Sequence, residues 1–547
     1  MRPLPVNILY IAILAGATGF VSGSDDTRGG RVKIAPKKDN MAVCEISGDK
    51  YAIFEPKEAG GFTAEGEFEV TIEKKPEPHE EFILNEDKME YKWESSTGLT
   101  IDKKGEKEKT CKISTKEKGQ WGKEHSIKCK ITFYEKPDPN YENKKKEQKL
   151  VDIAEEHKAV TPLLVIKEIS FNHDSNSGTK DALNLKKEFT DPQSIQAPEY
   201  KSDDHGNVTK NEPFLYVAGT KSTIKAVPSI KPNILKKGKL KTKPKDPENG
   251  ITPVENLLSE LKEQAFDLSG SNKETEFELE QPVDDSIAKA PQNWTWRLTN
   301  LEDTALKTEN VSYTSKSVDS YIVLNIPENS LWDQKMVRKQ PWCKALDFSL
   351  KNCSAIGFSK AEEDSIIILI TDTIFSSVPF SYDTARGASS YCPTYEILLL
   401  NDFINDVENG TPNIETNCYA QNNTLTALTT LLGITVTSVF YDNFGQLHPI
   451  GLVGIAGPVN NPFYRSPSCP LTLFGIQNVP KNHIHFPYRT GFGNHLFTSK
   501  PEATLTPKVY DACGGPCYGQ PFDAYLQSTI EKMYPNGNLR IVNLQLF

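Results

Sequence analysis

The sequence has few features that would tie it to a membrane or to nucleic acid. After an apolar run over residues 8–17, no stretch is long and apolar enough to span a bilayer. The formal net charge is only -10 over 547 residues, so whole-molecule electrostatics give no reason to expect nucleic-acid binding. We therefore predict no membrane span and no nucleic-acid partner. A hydrophobic content of 37% and a mean hydropathy of -0.49 instead describe a globular chain with some polar segments.

The N-terminus has the features of an export signal. Arg2 precedes the apolar run, and residues 21–23 (Val-Ser-Gly) offer small side chains for cleavage before Ser24. The apolar run is too short to serve comfortably as an anchor helix. We therefore expect residues 1–23 to be a signal peptide and the mature protein to be secreted.

Ten cysteines fit an oxidising compartment. The C-terminal part of the chain contains an odd number of them, so disulfide pairing within that part leaves at least one thiol free. Cys343 and Cys353 are close enough in sequence to form a local disulfide. Cys513 is expected to pair with Cys517 or with Cys469.

The length is enough for about three or four domains. Residues 24–40 are polar and are expected to be a linker. Residues 41–139 alternate apolar and polar side chains in short strands, with Trp93 on a central one, which is typical of an immunoglobulin-like β-sandwich. A charged linker is expected over residues 140–160, followed by one or two further β-rich modules over residues 161–327.

Three other stretches carry specific expectations. Residues 228–250 interleave lysines with prolines, and we interpret them as an extended solvated spacer. The alternative, an arm that contacts a polyanion such as an acidic polysaccharide, has no aromatic or repeated motif to support it. Residues 253–266 are expected to form a short helix with its leucines inward. Residues 523–534 are expected to form a closing helix with Met533 on its inner face.

The stretch that organises the C-terminal part is residues 415–421, which read Glu-Thr-Asn-Cys-Tyr-Ala-Gln. Leucines follow Cys418 at helical spacing, and Gly433 ends the pattern. Either Thr416 or Asn417 is a suitable N-cap. Cys418 would then lie in the first turn of a helix, where unpaired backbone N–H groups and the helix dipole favour the thiolate form.

Downstream of Cys418, a histidine and an aspartate follow in the order that a thiol nucleophile needs. Residues 493–497 (Gly-Asn-His-Leu-Phe) and 508–512 (Lys-Val-Tyr-Asp-Ala) are expected to be two strands. The imidazole of His495 would take the thiol proton, and the carboxylate of Asp511 would fix the tautomer of the ring.

Three further histidines compete with His495 for the role of base: His448, His483 and His485. His483 and His485 alternate, so both rings would share one strand face, but no third ligand follows at a usual metal-binding spacing. We therefore predict no metal site and assign the base to His495.

This arrangement resembles the transglutaminase-like branch of the papain-like thiol enzymes. Residues 428–434 (Leu-Thr-Thr-Leu-Leu-Gly-Ile) resemble the ending of the family's nucleophile helix. Residues 493–497 resemble its histidine strand, and residues 509–511 (Val-Tyr-Asp) its aspartate position. The resemblance covers residues 328–547. It implies a multidomain chain in which immunoglobulin-like β-sandwich modules precede an α+β transglutaminase-like domain.

The C-terminal part is also similar to uncharacterised secreted bacterial proteins with boxes that read Asn-Cys-Tyr, Asn-Asn-Pro-Phe and Tyr-Asp-Ala-Cys. The family resemblance implies acyl transfer through a thioester on Cys418, without a cofactor. His495 would act first as base and then as acid, and Asp511 would orient it. Water as acceptor would make the protein a peptidase or amidase, and an amine would make it a cross-linking transglutaminase.

Stabilisation of the tetrahedral intermediate needs hydrogen-bond donors near Cys418. Its own backbone N–H is one expected donor, and the side chain of Asn413 or Asn417 is a possible second. Tyr382 lies in a loop that is expected to line the substrate cleft, and Asn494 precedes the base directly, so both are candidate substrate contacts.

The expected substrate is an extracellular protein or peptide. The alternative function is a non-catalytic adhesion or matrix protein that keeps the thiol-enzyme domain as a scaffold. A disulfide at Cys418, or a glycan on Asn422, which begins an N-x-S/T sequon, would favour the scaffold. A Cys418–His495 pair would favour the enzyme.

Overall fold

A computed structural model describes the chain in separate strands up to residue 161 and, with gaps, from residue 163 to its end. The described residues are 32–33, 43–44, 51–53, 64–69, 90–95, 97–101, 110–115, 123–135, 148–161, 163–174, 180–231, 237–244, 257–267, 273–298, 311–327, 330–351, 357–376, 380–412, 414–469, 481, 486, 489–502 and 506–547. The predicted signal peptide and most of the predicted linker at residues 24–40 lie outside them.

The described elements up to residue 161 are all strands. They are β1 (Val32–Lys33), β2 (Val43–Cys44), β3 (Tyr51–Ile53), β4 (Ala64–Glu69), β5 (Glu90–Ser95), β6 (Thr100–Ile101), β7 (Thr110–Thr115), β8 (Lys123–Glu135) and β9 (Gln148–Thr161). A four-stranded sheet has the order β3-β9-β8-β5, and a three-stranded sheet has the order β4-β7-β6. Trp93 on β5 is buried, as expected for a core tryptophan. The immunoglobulin-like assignment stays a prediction.

The charged stretch at residues 140–160 is mostly a strand and not a linker. β9 pairs antiparallel with β8 along nearly its whole length, from Thr161 opposite Lys123 to Gln148 opposite Glu135. The charged composition of this stretch gave no indication of a strand. The strand is stabilised by backbone pairing with β8, which composition alone does not predict.

The middle of the chain is also built from strands. They are β10 (Leu163–Ser170), β11 (Tyr200–Ser202), β12 (Val208–Asn211), β13 (Phe214–Val217), β14 (Thr223–Lys231), β15 (Lys237–Pro244), β16 (Gln264–Asp267), β17 (Thr275–Glu278), β18 (Ala288–Gln292), β19 (Trp294–Leu298), β20 (Ser312–Thr314) and β21 (Val318–Val323). They form sheets of order β12-β11-β10-β14-β17, β13-β21-β18 and β16-β15-β19-β20.

The lysine-rich stretch begins with the end of strand β14, so the spacer prediction is wrong over residues 228–231. It is also wrong over residues 237–244, which form strand β15. This strand lies between β16 and β19 in its sheet. Leu240 and Thr242 are buried, whereas Lys239 and Lys241 are exposed. The lysines therefore occupy the solvent face of a half-buried strand with a period of two, a pattern that the dominance of lysine and proline concealed.

The helix predicted over residues 253–266 is absent from the described part, residues 257–266, where β16 begins at Gln264. The leucines are buried as predicted, but side chains of neighbouring strands bind their backbone. Thr242 Oγ1 accepts from the Leu261 N–H at 2.7 Å, and Gln292 Oε1 accepts from the Leu258 N–H at 2.9 Å. These contacts replace the hydrogen bonds that a helix would have supplied.

The C-terminal part mixes helices and strands. In chain order they are α1 (Cys343–Leu350), α2 (Glu363–Ser376), β22 (Phe380–Tyr382), β23 (Ile397–Leu398), α3 (Leu400–Asn409), β24 (Ile414–Thr416), α4 (Cys418–Leu431), β25 (Thr437–Leu447), β26 (Gly451–Leu452), β27 (Phe492–Lys500), β28 (Lys508–Asp511), β29 (Gly514–Gly515), β30 (Cys517–Pro521), α5 (Phe522–Thr529), β31 (Ile530–Met533), β32 (Asn538–Ile541) and β33 (Gln545–Leu546), with 3-10 turns at Val337–Lys339 and Lys360–Glu362.

The largest sheet of this part carries two of the three predicted catalytic residues, His495 and Asp511, on its inner strands. Its order is β30-β28-β27-β25-β31, with β32 also paired to β25. β27 pairs antiparallel with both β25 and β28, which places His495 opposite Tyr441 and Thr498 opposite Tyr510. At His495 the backbone of β27 pairs with β25, and from Thr498 onward it also pairs with β28.

Helix α4 packs against β27 and is the most buried helix described. Every one of its residues except Tyr419 is buried. Its end is set by Gly433, whose φ of 80° is unfavourable for other residues. A Cβ there would lie 2.3 Å from the carbonyl oxygen of Asn325. The predicted helix and its glycine stop are confirmed.

The closing helix is shorter than predicted. α5 ends at Thr529, and residues 530–533 form β31, which pairs with β25. Met533, predicted to face inward, is 48% exposed. Residues 530–533 pair with the backbone of β25, and this pairing decides their structure although their sequence pattern favours a helix.

One continuous cluster of buried side chains joins the middle and C-terminal regions. It includes Leu215 and Tyr321 from the middle region together with Leu428 of α4 and Leu496 of β27. The core is therefore shared across the predicted boundary at residue 328. None of the described helices has the length and apolar character that crossing a membrane requires.

Candidate active site

Cys418 is the first residue of α4, and Asn417 is the N-cap, which confirms the predicted helix start. The Asn417 side-chain oxygen accepts a hydrogen bond from the Ala420 N–H at 3.0 Å. Its amide donates to the Gly387 carbonyl at 2.9 Å. The Cys418 side chain is 4% exposed, so it lies near unpaired first-turn N–H groups with little surrounding water.

His495 lies on β27 with its side chain fully buried between two phenylalanine rings. The Phe492 ring stacks on the imidazole at a centroid distance of 4.9 Å and an angle of 10°. The Phe444 ring lies 4.7 Å away at 42°. These contacts fix the plane of the imidazole and exclude water from it, so the remaining freedom of the ring is set by its hydrogen bonds.

Asp511 ends β28 and is the most highly coordinated carboxylate of the site. Its oxygens receive five hydrogen-bond contacts at 2.7–3.0 Å, from His495 Nε2, Tyr525 Oη, Asn422 Nδ2 and the backbone N–H groups of Cys513 and Gly514. The contact to His495 joins Nε2 to Oδ2 at 2.7 Å, between two side chains that are both fully buried. A carboxylate held by this many donors is fixed in position and favours its charged form.

The same surroundings set the charge of both groups. Burial works against the charged form of His495, but the charges of Asp511 and Cys418 and the hydrogen bonding around the ring raise its pKa to about 10. For Asp511, burial alone would raise the pKa. The charge of His495 and the hydrogen bonds from His495, Asn422 and the Gly514 N–H instead lower it. The pair is therefore imidazolium and carboxylate at neutral pH.

The two ring nitrogens of His495 have different surroundings. Nε2 is held by Asp511, whereas Nδ1 is buried and has no hydrogen-bond partner among the described residues. Cys418 lies close enough to raise the pKa of this ring. Nδ1 is thus the nitrogen left to exchange a proton with the sulfur of Cys418.

Two residues that sequence reasoning did not assign to the site hold Asp511 in place. Asn422 follows Cys418 by one helical turn, and that spacing was a signal that could have found it. Tyr525 is on α5 and donates its hydroxyl to Asp511 at 2.8 Å, for which the sequence contains no local signal. Asn422 has no exposed surface, so its sequon is inaccessible in the folded protein.

The other predicted contacts are placed as follows. Asn494 accepts a hydrogen bond from the Tyr419 hydroxyl at 2.5 Å, beside the triad. Asn417 serves as a cap, and its amide is engaged with Gly387, so it is not the free donor that was predicted. Asn413 lies outside the described residues.

The loop predicted around Tyr382 is instead strand β22 at this residue, and Tyr382 is buried near Cys418. Burial raises its pKa well above the ordinary value, and the neighbouring charges of Cys418 and Cys513 add to the effect. Its hydroxyl therefore keeps its proton at any physiological pH. The Tyr382 ring also faces the rings of Phe463 and Phe492 at 6.1 and 5.8 Å, on the wall of the site.

The predicted disulfides are not formed in the part of the chain that the structure describes. Six cysteines are free thiols in the structure, namely Cys343, Cys392, Cys418, Cys469, Cys513 and Cys517. The Cys517 thiol donates to the Val509 carbonyl at 3.2 Å, and Cys469 accepts from the Asn461 amide at 3.7 Å. Each sulfur thus has its own polar partner away from Cys513. Cys353, the predicted partner of Cys343, lies outside the described residues.

Of the competing histidines, only His448 is described, and it has no contact with Cys418 or Asp511 among the described hydrogen bonds and ion pairs. The backbone N–H of His448 donates to the carbonyl of Thr529, the last residue of α5. His483 and His485 lie outside the described residues. Among the residues that are described, no group of three or more His, Cys, Asp or Glu side chains is placed to hold a metal ion.

No protein-family model matches the sequence, and no curated protein does. Among solved structures, a transglutaminase of red sea bream is similar to 60% of this chain and 57% of its own chain, at 11% identity and a TM-score of 0.30. The chain thus spans less than two thirds of that structure. An overlap this loose assigns no fold, and the function is therefore argued from the geometry of the site.

Proposed function

We propose that this protein is a thiol-dependent acyl-transfer enzyme with a transglutaminase-like C-terminal domain. Cys418 is the nucleophile, His495 is the base and then the acid, and Asp511 orients His495. The observation that carries the proposal is the buried contact of 2.7 Å between His495 Nε2 and Asp511 Oδ2. Because Nε2 is bonded to Asp511, Nδ1 is the ring nitrogen without a hydrogen-bond partner among the described residues. The charges of Asp511 and Cys418 both raise the pKa of this ring.

The reaction uses these groups in two steps. The Cys418 thiolate attacks the carbonyl carbon of an amide, and the C–S bond forms while the carbonyl π electrons move to oxygen. When the tetrahedral intermediate collapses, the C–N bond breaks, and the proton on Nδ1 of His495 passes to the leaving amine or ammonia. Water or an amine then gives a proton to Nδ1 and attacks the thioester, which releases the Cys418 thiolate.

Two donors are suited to stabilise the oxyanion in each step. The backbone N–H of Cys418 belongs to the first turn of α4, where it has no partner within the helix. The Tyr382 hydroxyl remains protonated, and its pKa responds to the charge of Cys418. Removal of one such donor commonly lowers kcat by roughly a hundredfold to a thousandfold.

Two further observations support an enzyme over an adhesion scaffold. Cys418 is a free thiol, and the Asn422 side chain is fully buried and hydrogen-bonded within the site, an arrangement that leaves no room for a glycan in the folded protein. The proposed setting is extracellular, with a protein or peptide as substrate, on the basis of the N-terminal sequence. N-terminal sequencing of the secreted protein should begin at Ser24.

The test is alkylation by iodoacetamide under native, non-reducing conditions, read by peptide mass spectrometry from pH 5 to pH 8. Cys418 should be labelled selectively at low pH, and His495→Gln should abolish the selectivity. His448→Gln, which changes a histidine outside the site, is the matched control and should leave labelling unchanged. Equal labelling of Cys418 in all three proteins would overturn the proposal.

Acceptor choice is tested with a glutamine-containing protein, with and without a fluorescent primary amine. Ammonia release that needs no amine indicates hydrolysis, and covalent incorporation of the amine indicates cross-linking. Cys418→Ser should abolish both reactions. Turnover that persists in this variant would place the chemistry elsewhere.

A further inference from the structure

Asn422 connects the three segments that carry the triad. Its Nδ2 donates to the Leu496 carbonyl at 2.7 Å and to Asp511 Oδ1 at 2.9 Å, and its Oδ1 accepts from the Ala512 N–H at 2.8 Å. The side chain is fully buried. One carboxamide on the nucleophile helix therefore binds the strand of the base and the end of the strand that carries the orienting carboxylate.

The position of Asn422 explains why it can reach both strands. It follows Cys418 by four residues, so the two side chains lie on neighbouring turns of the same face of α4. That face packs on β27, the strand of His495. Any change in how α4 sits on the sheet would therefore alter the distance from Cys418 to His495 and the contact to Asp511 together.

The chemistry of the carboxamide is specific to these partners. Asp511 needs a donor and the Ala512 N–H needs an acceptor, and one amide group supplies both. A carboxylate at this position would face Asp511 with a like charge, and an aliphatic side chain would leave two buried backbone groups unpaired.

We propose that Asn422 is a positioning residue of the triad. It holds Asp511 Oδ1 so that Oδ2 stays on His495, and it sets the spacing between the helix of Cys418 and the strand of His495. This inference rests on the proposed function. A misplacement of about 1 Å at a reacting group can cost about a hundredfold in rate, so the effect should appear in reactivity and not only in stability.

The chain supplies a matched control in the next residue. Asn423 is also fully buried on α4 and also makes three side-chain contacts, to the Tyr395 carbonyl at 3.0 Å, to Cys392 at 3.8 Å and from Ser438 at 2.8 Å. None of these partners belongs to the triad. A general loss of helix packing should therefore affect both asparagines, and loss of triad geometry only Asn422.

The first experiment compares Asn422→Leu with Asn423→Leu in the full chain. Both should lower the urea midpoint of unfolding. Asn422→Leu should lower the second-order rate constant for iodoacetamide labelling of Cys418 at pH 7 by about tenfold to a hundredfold, and Asn423→Leu by less than about threefold. Equal rate constants in the two variants would overturn the inference.

A second variant guards against a failure of Asn422→Leu to fold. Asn422→Asp keeps the size of the side chain and an acceptor for the Ala512 N–H, but it places a second negative charge beside Asp511. The pH at which Cys418 labelling rises should therefore move upward by about one unit, because added negative charge favours the protonated site. An unchanged pH profile would contradict a positioning role.

The outcomes separate this inference from the proposed function. If wild-type Cys418 shows no selective labelling, the proposed function fails. If the wild type is labelled selectively and both Asn422 variants behave like it, only the role of Asn422 fails.

Discussion

The hydroxyl of Tyr419 donates a hydrogen bond to Oδ1 of Asn494 at 2.5 Å, and so joins the residue after Cys418 to the residue before His495. Burial raises the pKa of Tyr419, and the nearby charge of Cys418 adds to this, so the hydroxyl remains a donor. The contact ties the start of α4 to β27 on the partly exposed side of the site. On the buried side, α4 and β27 are linked through Asp511, which accepts hydrogen bonds from Asn422 and His495.

Tyr419→Phe should remove the hydrogen bond to Asn494 without disturbing packing, because the ring keeps its contacts with Tyr395 and Phe440. We expect a loss of about 1 kcal/mol in the free energy of unfolding, the usual worth of one hydrogen bond. The rate of Cys418 alkylation should also fall, because the start of α4 is then held less firmly on β27. Tyr518→Phe, which removes a surface hydrogen bond to Asp372, should leave that rate unchanged.

Asp511→Asn should have the largest effect on reactivity. The amide retains the shape of the carboxylate but removes the charge that keeps His495 protonated and oriented, and an Asp-to-Asn exchange in the Ser-His-Asp triad costs about four orders of magnitude in kcat. Single-turnover kinetics with an activated ester would measure the loss. Asp406→Asn, which alters a carboxylate bonded to Tyr391 and Thr411, is the control. A loss of similar size in both variants would point to unfolding rather than chemistry.

The raised pKa of His495 makes stability depend on pH. Its folded value is about 10 against an ordinary value of 6.5. The stabilisation from the charged ring is therefore fully present below about pH 6.5 and is lost as the pH rises through 10. Urea unfolding of wild type and His495→Gln should show a stability difference that shrinks between pH 7 and pH 10.5. A difference that stays constant over this range would show that the imidazolium does not stabilise the fold.

Gly433→Ala should destabilise the end of α4. A Cβ at this position would lie 2.3 Å from the Asn325 carbonyl oxygen, at a φ of 80°. Gly410→Ala is a close control, because Gly410 has a φ of 62° but nothing within 4 Å of its Cβ position. Backbone strain alone costs about 1–2 kcal/mol. Thermal unfolding should show a clearly larger loss of stability for Gly433→Ala than for Gly410→Ala. Equal losses would mean that the segment around Asn325 shifts to make room for the Cβ.

Sequence reasoning succeeded where the signal is local. The start of α4 follows from the capping chemistry of Asn417, and its end follows from Gly433, each of which acts within a few residues of the helix. Burial of Trp93 follows from strand alternation in the same way. The order Cys418, His495, Asp511 led to three residues that the structure brings to one site.

Sequence reasoning failed where distant pairing decides the structure. β15 and β31 are strands because other strands bind them, although their local patterns favoured a spacer and a helix. Asn422 escaped notice as a site residue because its partners Leu496 and Asp511 are 74 and 89 residues away in the chain. The disulfide between Cys343 and Cys353 was predicted from their closeness in sequence, which does not show how the two side chains are oriented.

The separation of the site residues along the chain has a consequence for biosynthesis. His495 follows Cys418 by 77 residues, and Asp511 comes later still. A ribosome that adds about 5–20 residues per second therefore completes Cys418 roughly 4–15 seconds before its base. During that interval the nascent chain has an ordinary cysteine with no imidazolium beside it. The three residues can therefore come together only after the chain has been synthesised through Asp511.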